Sequence, residues 1–441
     1  MPKNVAKTTA GGRTMGRRGR AMAAAVLAAT VALGVAGAPG ATAQTAGRQA
    51  PAGQLATAAL PAPTGPYAVG TTSVHLVDQG REDPWKAGRP RELMISFWYP
   101  TARPASGADR APYMTPDAGA HFGSAGSVGR MNERFEPDRT DWSGVRTHAR
   151  ADAPALPGRA RPVVLYSAGL GDPRTWGTGL VEDLASRGYV VVTVDHTWEA
   201  SEVSLPGGEL ATSVFPELAQ DPALDMGALL RKMIGTRVDD TRFVLDELAR
   251  LKDSRTLPPG VGAALDLGRI GMVGHSGGGS TALQAMHDDP RIAAAVNMDG
   301  QLHFPGRDGR TGVYLTDVAE KGLDRPFLLL GTRNDDSGPH QQQPGWEALW
   351  QHSTGWHADF TLDGSRHASY TDAESLLPQL ARQGAISAEA LHDGVGDIRP
   401  DRAVLATRTY VASFFDRWLR GHDDHLLDGP SGNFPEMVYE P

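Results

Sequence analysis

Between Pro162 and Leu330 the chain repeatedly alternates a short, dense apolar run with a longer amphipathic one. The apolar runs read PVVLYSAG (162–169), YVVVTVDH (189–196), IGMVGH (270–275), IAAAVNMD (292–299) and PFLLLGT (326–332). Runs that are apolar on both faces are strands buried on both faces, and amphipathic stretches between them are helices that cover a parallel sheet. The clearest helix pattern is Val238 to Leu251, where Val244, Leu245, Leu248 and Leu251 share one face and Asp246, Glu247 and Arg250 point away. The constraint is therefore an α/β architecture with a mostly parallel central sheet. Two antiparallel strands are expected before it, around Val74–Asp78 and Leu93–Tyr99. After it come a last strand at His357–Leu362 and a carboxy-terminal helix over about Arg402–Leu419.

In such a sheet ligands gather where strands end at their carboxyl termini, and one such end carries a motif. Gly274-His275-Ser276-Gly277-Gly278 fits G-x-S-x-G. It follows the strand IGMV directly and opens a helical run over Ser280–His287. That order of strand, sharp turn and helix is a nucleophile elbow, in which small neighbours let the backbone carry Ser276 in a strained conformation. A serine hydroxyl needs a base to take its proton and a carboxylate to orient that base. Of the nine histidines that follow Ser276, His367 stands on a loop, Asp363-Gly364-Ser365-Arg366-His367-Ala368-Ser369, just past a strand. His287 falls in a helix, His357 in a strand, and His422 and His425 in a polar tail. For the acid, Asp299 ends an apolar strand before Gly300, whereas Asp335 and Asp336 follow the next strand in a stretch that also reads as a solvated turn. Acyl transfer further requires N–H donors for an oxyanion. The Gly277 amide, at the start of a helix, supplies one, and Leu170 in Ser167-Ala168-Gly169-Leu170-Gly171 supplies the other.

Residues 1–20 hold six basic residues and no acid, and Met22–Ala36 is apolar. Ala41-Thr42-Ala43 then offers a small-x-small cleavage site before Gln44. The expectation is a signal peptide over 1–43 and secretion, by the general or the twin-arginine route that Arg17-Arg18 suggests. The competing reading, a membrane anchor, needs a longer apolar run than this one. Cleavage would remove six of 43 basic residues and none of 51 acidic ones, leaving a net charge of −14. So acidic a chain argues against nucleic-acid partners and against attraction to anionic membranes. With no cysteine, disulfides, thiolate zinc sites and a cysteine nucleophile are excluded. Residues 44–65, poor in large aliphatics, are expected to be a flexible leader. A hydrolase-size domain then fills 66–441, with an insertion over about 101–160 that walls or covers the pocket. His422-Asp423-Asp424-His425 could be drawn as a metal site but reads as a solvated tail. Trp198 and Glu199 are expected to border the pocket.

Taken together, PYAVGTTSVHLVD, RELMISFWYP, VVLYSAGLG, VVTVDHTWEA, RVDDTRFVLDEL, GMVGHSGGGST, AVNMDG and DGSRHASYTD resemble the plasma and intracellular type II platelet-activating factor acetylhydrolases and their secreted bacterial relatives. The resemblance spans nearly all of residues 65–440. It implies the α/β-hydrolase fold, a triad of Ser276, Asp299 and His367, and oxyanion donors at Leu170 and Gly277, and so raises Asp299 over Asp335 and Asp336. Ala168 departs from it, since the family often has His there, and residues 101–160 and 201–235 match poorly. The reaction implied is hydrolysis of short acyl esters, such as an acetylated glycerophosphocholine, without metal or cofactor. The implied partner is a small ester or phospholipid, with no nucleic acid and no stable membrane anchor. A lipase or cutinase-like polyester hydrolase would use the same residues. An inactive binding protein of this fold would require a broken triad.

Overall fold

A computed structural model describes residues 55–102, 110–306, 313–333 and 338–441. The expected signal peptide and the alternative acids Asp335 and Asp336 lie outside the described residues. Ten strands form one sheet: β1 (Ala68–Glu82), β2 (Pro90–Thr101), β3 (Arg150–Ala151), β4 (Arg161–Ser167), β5 (Val190–Asp195), β6 (Leu265–His275), β7 (Ile292–Met298), β8 (Phe327–Thr332), β9 (His357–Leu362) and β10 (Met437–Glu440). Their order across the sheet is β10-β9-β8-β7-β6-β4-β5-β2-β1-β3. The six from β9 to β5 run parallel, as the doubly apolar runs require. The β1/β2 hairpin continues the sheet antiparallel to β5.

Alternation along these strands builds two cores. Val163 and Leu165 of β4 face one layer and Val164 and Tyr166 the other. The helices that matter for the site are α1 (Pro116–Phe122), α2 (Val128–Glu133), α3 (Thr178–Ser186), α4 (Met226–Lys252), α5 (Gly277–Asp288), α6 (Ala373–Ala381) and α7 (Pro400–Arg420). Helices α4 and α5 cover the first face, α3 and α7 the second. Helix α4 starts twelve residues before the Val238 of the sequence reading. Asp225 caps it by accepting the Ala228 N–H, and Leu229, Met233 and Ile234 extend its buried stripe across Gly235.

Two further features differ from the sequence expectations and a third adds to them. His357–Leu362 is not the last strand, because β10 pairs antiparallel with β9 at the sheet edge. Four residues beside a proline are too short to announce a strand by pattern. Residues 55–65 are not a flexible leader. Ala56 and Leu60 are buried. The Gln383 and Gln379 side chains accept from the Thr57 and Ala59 N–H groups, and Arg408 donates to the Pro61 and Ala62 carbonyls. Side chains from α6, the turn after it and α7 thus supply the ordering that the segment's own composition lacks. Finally, aromatic residues of the insertion join Trp176 in a satellite core. Phe122, Phe135, Trp142 and Trp176 are all buried, with ring centroids 4.9 Å apart for Phe122 and Trp142 and 5.0 Å for Phe122 and Trp176. Among the described residues no helix is long and apolar enough to cross a membrane.

Candidate active site

Ser276 sits between the end of β6 and the start of α5 with φ 54° and ψ −125°, a conformation that non-glycine residues avoid. It is held there by its N–H, which donates to the Met298 carbonyl (2.8 Å), and by its carbonyl, which accepts from Gly279 (2.9 Å) and Ser280 (3.1 Å). The glycines around it are needed for space. A Cβ at Gly274 would stand 2.2 Å from the Gly278 carbonyl carbon, and one at Gly278 would stand 2.0 Å from the Ser167 carbonyl oxygen. The elbow is therefore pressed against the end of β4, and α5 starts beside it at Gly277.

Asp299 follows β7, also at positive φ (59°), with its carboxylate fully buried. The His367 Nδ1–H donates to its Oδ2 at 2.6 Å, and the Thr332 N–H donates to its Oδ1 at 3.2 Å. Because a carboxylate only accepts, Nδ1 carries the imidazole proton and Nε2 keeps the lone pair of the neutral ring. His367 lies on the loop after β9 and is about half exposed (47%), so its outer edge reaches solvent while Asp299 fixes its inner edge. His275, beside the serine, packs its ring 4.5 Å from that of His367 and donates from Nε2 to the His367 carbonyl at 2.8 Å. Burial pushes the basicity of His275 well below that of an ordinary histidine, and the neighbouring His367 lowers it further. It stays neutral and braces the loop.

The third expected element, the turn after β4, lies against the elbow. A Cβ on Gly277 would be 2.6 Å from the Leu170 side chain. On the other side the turn meets α2, from which Asn132 Nδ2 donates to the Leu170 carbonyl and to Asp172, both at 3.2 Å. Glu199, expected to border the pocket, lies inside the protein. It is fully buried, accepting from Arg237 Nε (2.8 Å) and Trp85 Nε1 (3.2 Å). Trp198 lies between Lys86 and Arg89, 5.1 and 5.4 Å from its ring.

The sequence reading missed a second Ser–His–Asp chain. Ser167 Oγ lies 3.0 Å from His196 Nε2, and His196 Nδ1 lies 2.9 Å from Asp240 Oδ2. All three are buried, at 1%, 2% and 0% exposure. Asp240 is further bound by the Arg91 Nε (3.0 Å) and Nη2 (2.6 Å) and by Arg81 (2.9 Å). Burial opposes its ionisation, but the charge of Arg91 and the hydrogen bonds from His196 and Arg91 hold its carboxyl far below the usual range. Burial first, and then the charge of Arg237, lower the His196 pKa to about 4.

At the other end of α7, Asp423, His425 and Asp428 bring ligand atoms within 4.8 Å of one another, but all are exposed. The guanidinium of Arg417 already pairs with Asp423 (3.2 Å) and Asp428 (2.7 Å).

Comparisons with known proteins bear on the fold and on the class of reaction. Residues 52–205 match the family described as platelet-activating factor acetylhydrolase, isoform II. A probable 1-alkyl-2-acetylglycerophosphocholine esterase of Arthroderma benhamiae is 27% identical over 398 residues, covering 86% of this chain and 93% of its own length. The chain is thus similar to the platelet-activating factor acetylhydrolase family over most of its length. It is a carboxylic ester hydrolase of the α/β-hydrolase fold. Within the family, the dog platelet-activating factor acetylhydrolase is 26% identical, over 66% of this chain and 67% of its own. The structure of a ferulic acid esterase from Streptomyces cinnamoneus is 36% identical, with a TM-score of 0.69, and covers 87% of this chain and 99% of its own.

Proposed function

We propose that this chain is a secreted serine esterase that cleaves short acyl esters through an acyl-Ser276 intermediate. His367 Nε2 takes the Ser276 proton as Oγ attacks the ester carbonyl carbon, and the carbonyl electron pair becomes an oxyanion facing the Leu170 and Gly277 N–H groups. Collapse expels the alcohol, which leaves with the proton from His367. Water then repeats the sequence and releases the carboxylic acid. Asp299 keeps the imidazole in the required tautomer and stabilises its cation. The observation that carries this reading is the 2.6 Å Asp299–His367 hydrogen bond on the loop that His275 ties to the strained elbow of Ser276.

An acetylated glycerophosphocholine is the substrate suggested by the family's named members. A second class, hydroxycinnamoyl esters, is favoured by the 36% identity to the ferulic acid esterase, higher than that to either relative named above. Secretion rests on the charged and apolar pattern of residues 1–43. The test is a panel of acetyl phospholipid, p-nitrophenyl acetate, methyl ferulate, triglyceride and polyester. The highest kcat/KM is expected for the acetyl esters. A preference for methyl ferulate would move the chain to the second class, and a rate rising with acyl length or on polyester would overturn the short-acyl reading.

A further inference from the structure

An N–H on a turn flanked by Gly169 and Gly171 has no fixed aim of its own. In a trans peptide the carbonyl of one residue and the N–H of the next point to opposite sides, so whatever holds the carbonyl aims the amide. Four successive carbonyls of this turn are held by groups from elsewhere. Arg237 on α4 donates from Nη1 to the Ala168 carbonyl (2.6 Å) and from Nη2 to the Gly169 carbonyl (3.2 Å). Asn132 donates to the Leu170 carbonyl (3.2 Å) and the Ser201 N–H to that of Gly171 (3.0 Å). Arg237 is itself immobilised: it is 1% exposed, and its Nε donates to Glu199, which Trp85 holds in turn. Each carbonyl held on one side fixes an amide on the other.

We infer that Arg237 is the positioning residue of the oxyanion hole. By holding the Ala168 and Gly169 carbonyls, it fixes the planes of the two peptides that carry the Gly169 and Leu170 amides, in the turn whose Leu170 side chain packs against Gly277 of the elbow. Arg237 touches no substrate and acts only through the turn. The planar fork explains the residue type, since one guanidinium spans two neighbouring carbonyls and a carboxylate at once, whereas a lysine ammonium is a single point. The inference rests on the reading of Ser276 as nucleophile and of Leu170 as a donor.

Removing an oxyanion donor outright costs roughly 10²–10³ in kcat, so misaiming one should cost on the order of 10–10². Arg237→Gln alone would strand the buried Glu199 carboxylate, so the change is paired as Arg237→Gln/Glu199→Gln and compared with Arg237→Lys and Glu199→Gln. Each protein is titrated with a fluorophosphonate, and kcat on p-nitrophenyl acetate is expressed per titrated Ser276, which removes unfolded protein from the readout. Affinity for phenylboronic acid, whose serine adduct is a tetrahedral anion, is measured alongside. The expected result is a fall of about 10–10² in kcat with KM changed less than about threefold, an equal loss of boronate affinity, and partial recovery in Arg237→Lys. A kcat and boronate affinity within about twofold of the parent in both Arg237 variants, or a loss that vanishes once expressed per titrated site, overturns the inference. Failure of the parent protein to titrate at Ser276 would instead break the underlying reading.

Discussion

Two Ser–His–Asp sets meet the carboxyl ends of neighbouring strands in this molecule, and the proposed chemistry uses only one of them. Ser276, His367 and Asp299 lie on three loops at the carboxyl ends of β6, β9 and β7. Ser167, His196 and Asp240 come from the end of β4, the residue after β5 and the middle of α4, and they are buried throughout. The hydrogen-bond distances of the second chain are those a catalytic triad would show. What it lacks is everything else. Ser167 belongs to a regular strand, whereas Ser276 is held at positive φ. His196 is closed off, whereas His367 is half exposed. Asp240 spends its charge on Arg91 and Arg81, whereas the hydrogen bonds assigned to Asp299 come from His367 and Thr332. The comparison teaches that a triad is defined by access, strain and oxyanion donors as much as by its three residues. The buried chain, ending at the root of the Ala168–Gly171 turn, stiffens the site that the exposed chain uses.

Substitutions at equivalent positions should separate the two most sharply. Ser276→Ala is expected to lower kcat by on the order of 10⁴–10⁶, while Ser167→Ala, assayed on p-nitrophenyl acetate per folded protein, should lose less than about tenfold. Comparable losses would merge the two chains into one functional unit. Asp299→Asn should cost about 10⁴ in kcat through the wrong imidazole tautomer. Asp240→Asn should act on stability instead. It leaves Arg91 buried with one partner fewer, and a denaturant midpoint should report a loss of about 3–5 kcal/mol.

Smaller effects follow from pH, with opposite signs in the two regions. His196 titrates near 4 when folded against 6.5 when unfolded. Its neutral burial is fully tolerated above 6.5, and stability drains away as pH falls from 6.5 toward 4, because only the unfolded chain takes up the proton. Glu374, in the first turn of α6 beyond the His367 loop, is raised by burial to about 8 from 4.5. It binds its proton more tightly when folded, so it costs nothing below 4.5 and progressively more as pH rises to 8. Melting curves should therefore show Glu374→Gln gaining on the parent protein at pH 8 and losing that gain at pH 5. A constant difference across this range would contradict the assignment.

What was legible in the sequence was what announces itself locally. Ser276 is framed by glycines between a strand and a helix, Asp299 ends an apolar run, and His367 lies in a polar loop after a strand. The parallel sheet was legible for the same reason, since Val163–Tyr166 and Val190–Val194 are apolar at every position but Thr193. The second Ser–His–Asp chain was not, because its members lie 29 and 44 residues apart and each has an ordinary neighbourhood. Arg237 reads as one more charged residue on α4, and only the tertiary structure shows its fork closing on two carbonyls. Residues 55–65 were misread because their order is supplied by Gln379, Gln383 and Arg408, more than 300 residues away. Long-range polar contacts leave no periodicity behind.

The central claim is that nucleophilic chemistry belongs to Ser276 alone. It is tested most directly by inactivating the protein with a fluorophosphonate and mapping the adduct by peptide mass spectrometry. The account predicts one phosphonyl group per active site, on the peptide that contains Ser276, with none on Ser167 and none in Ser276→Ala. An adduct on another serine, or full turnover surviving in Ser276→Ala, would contradict it.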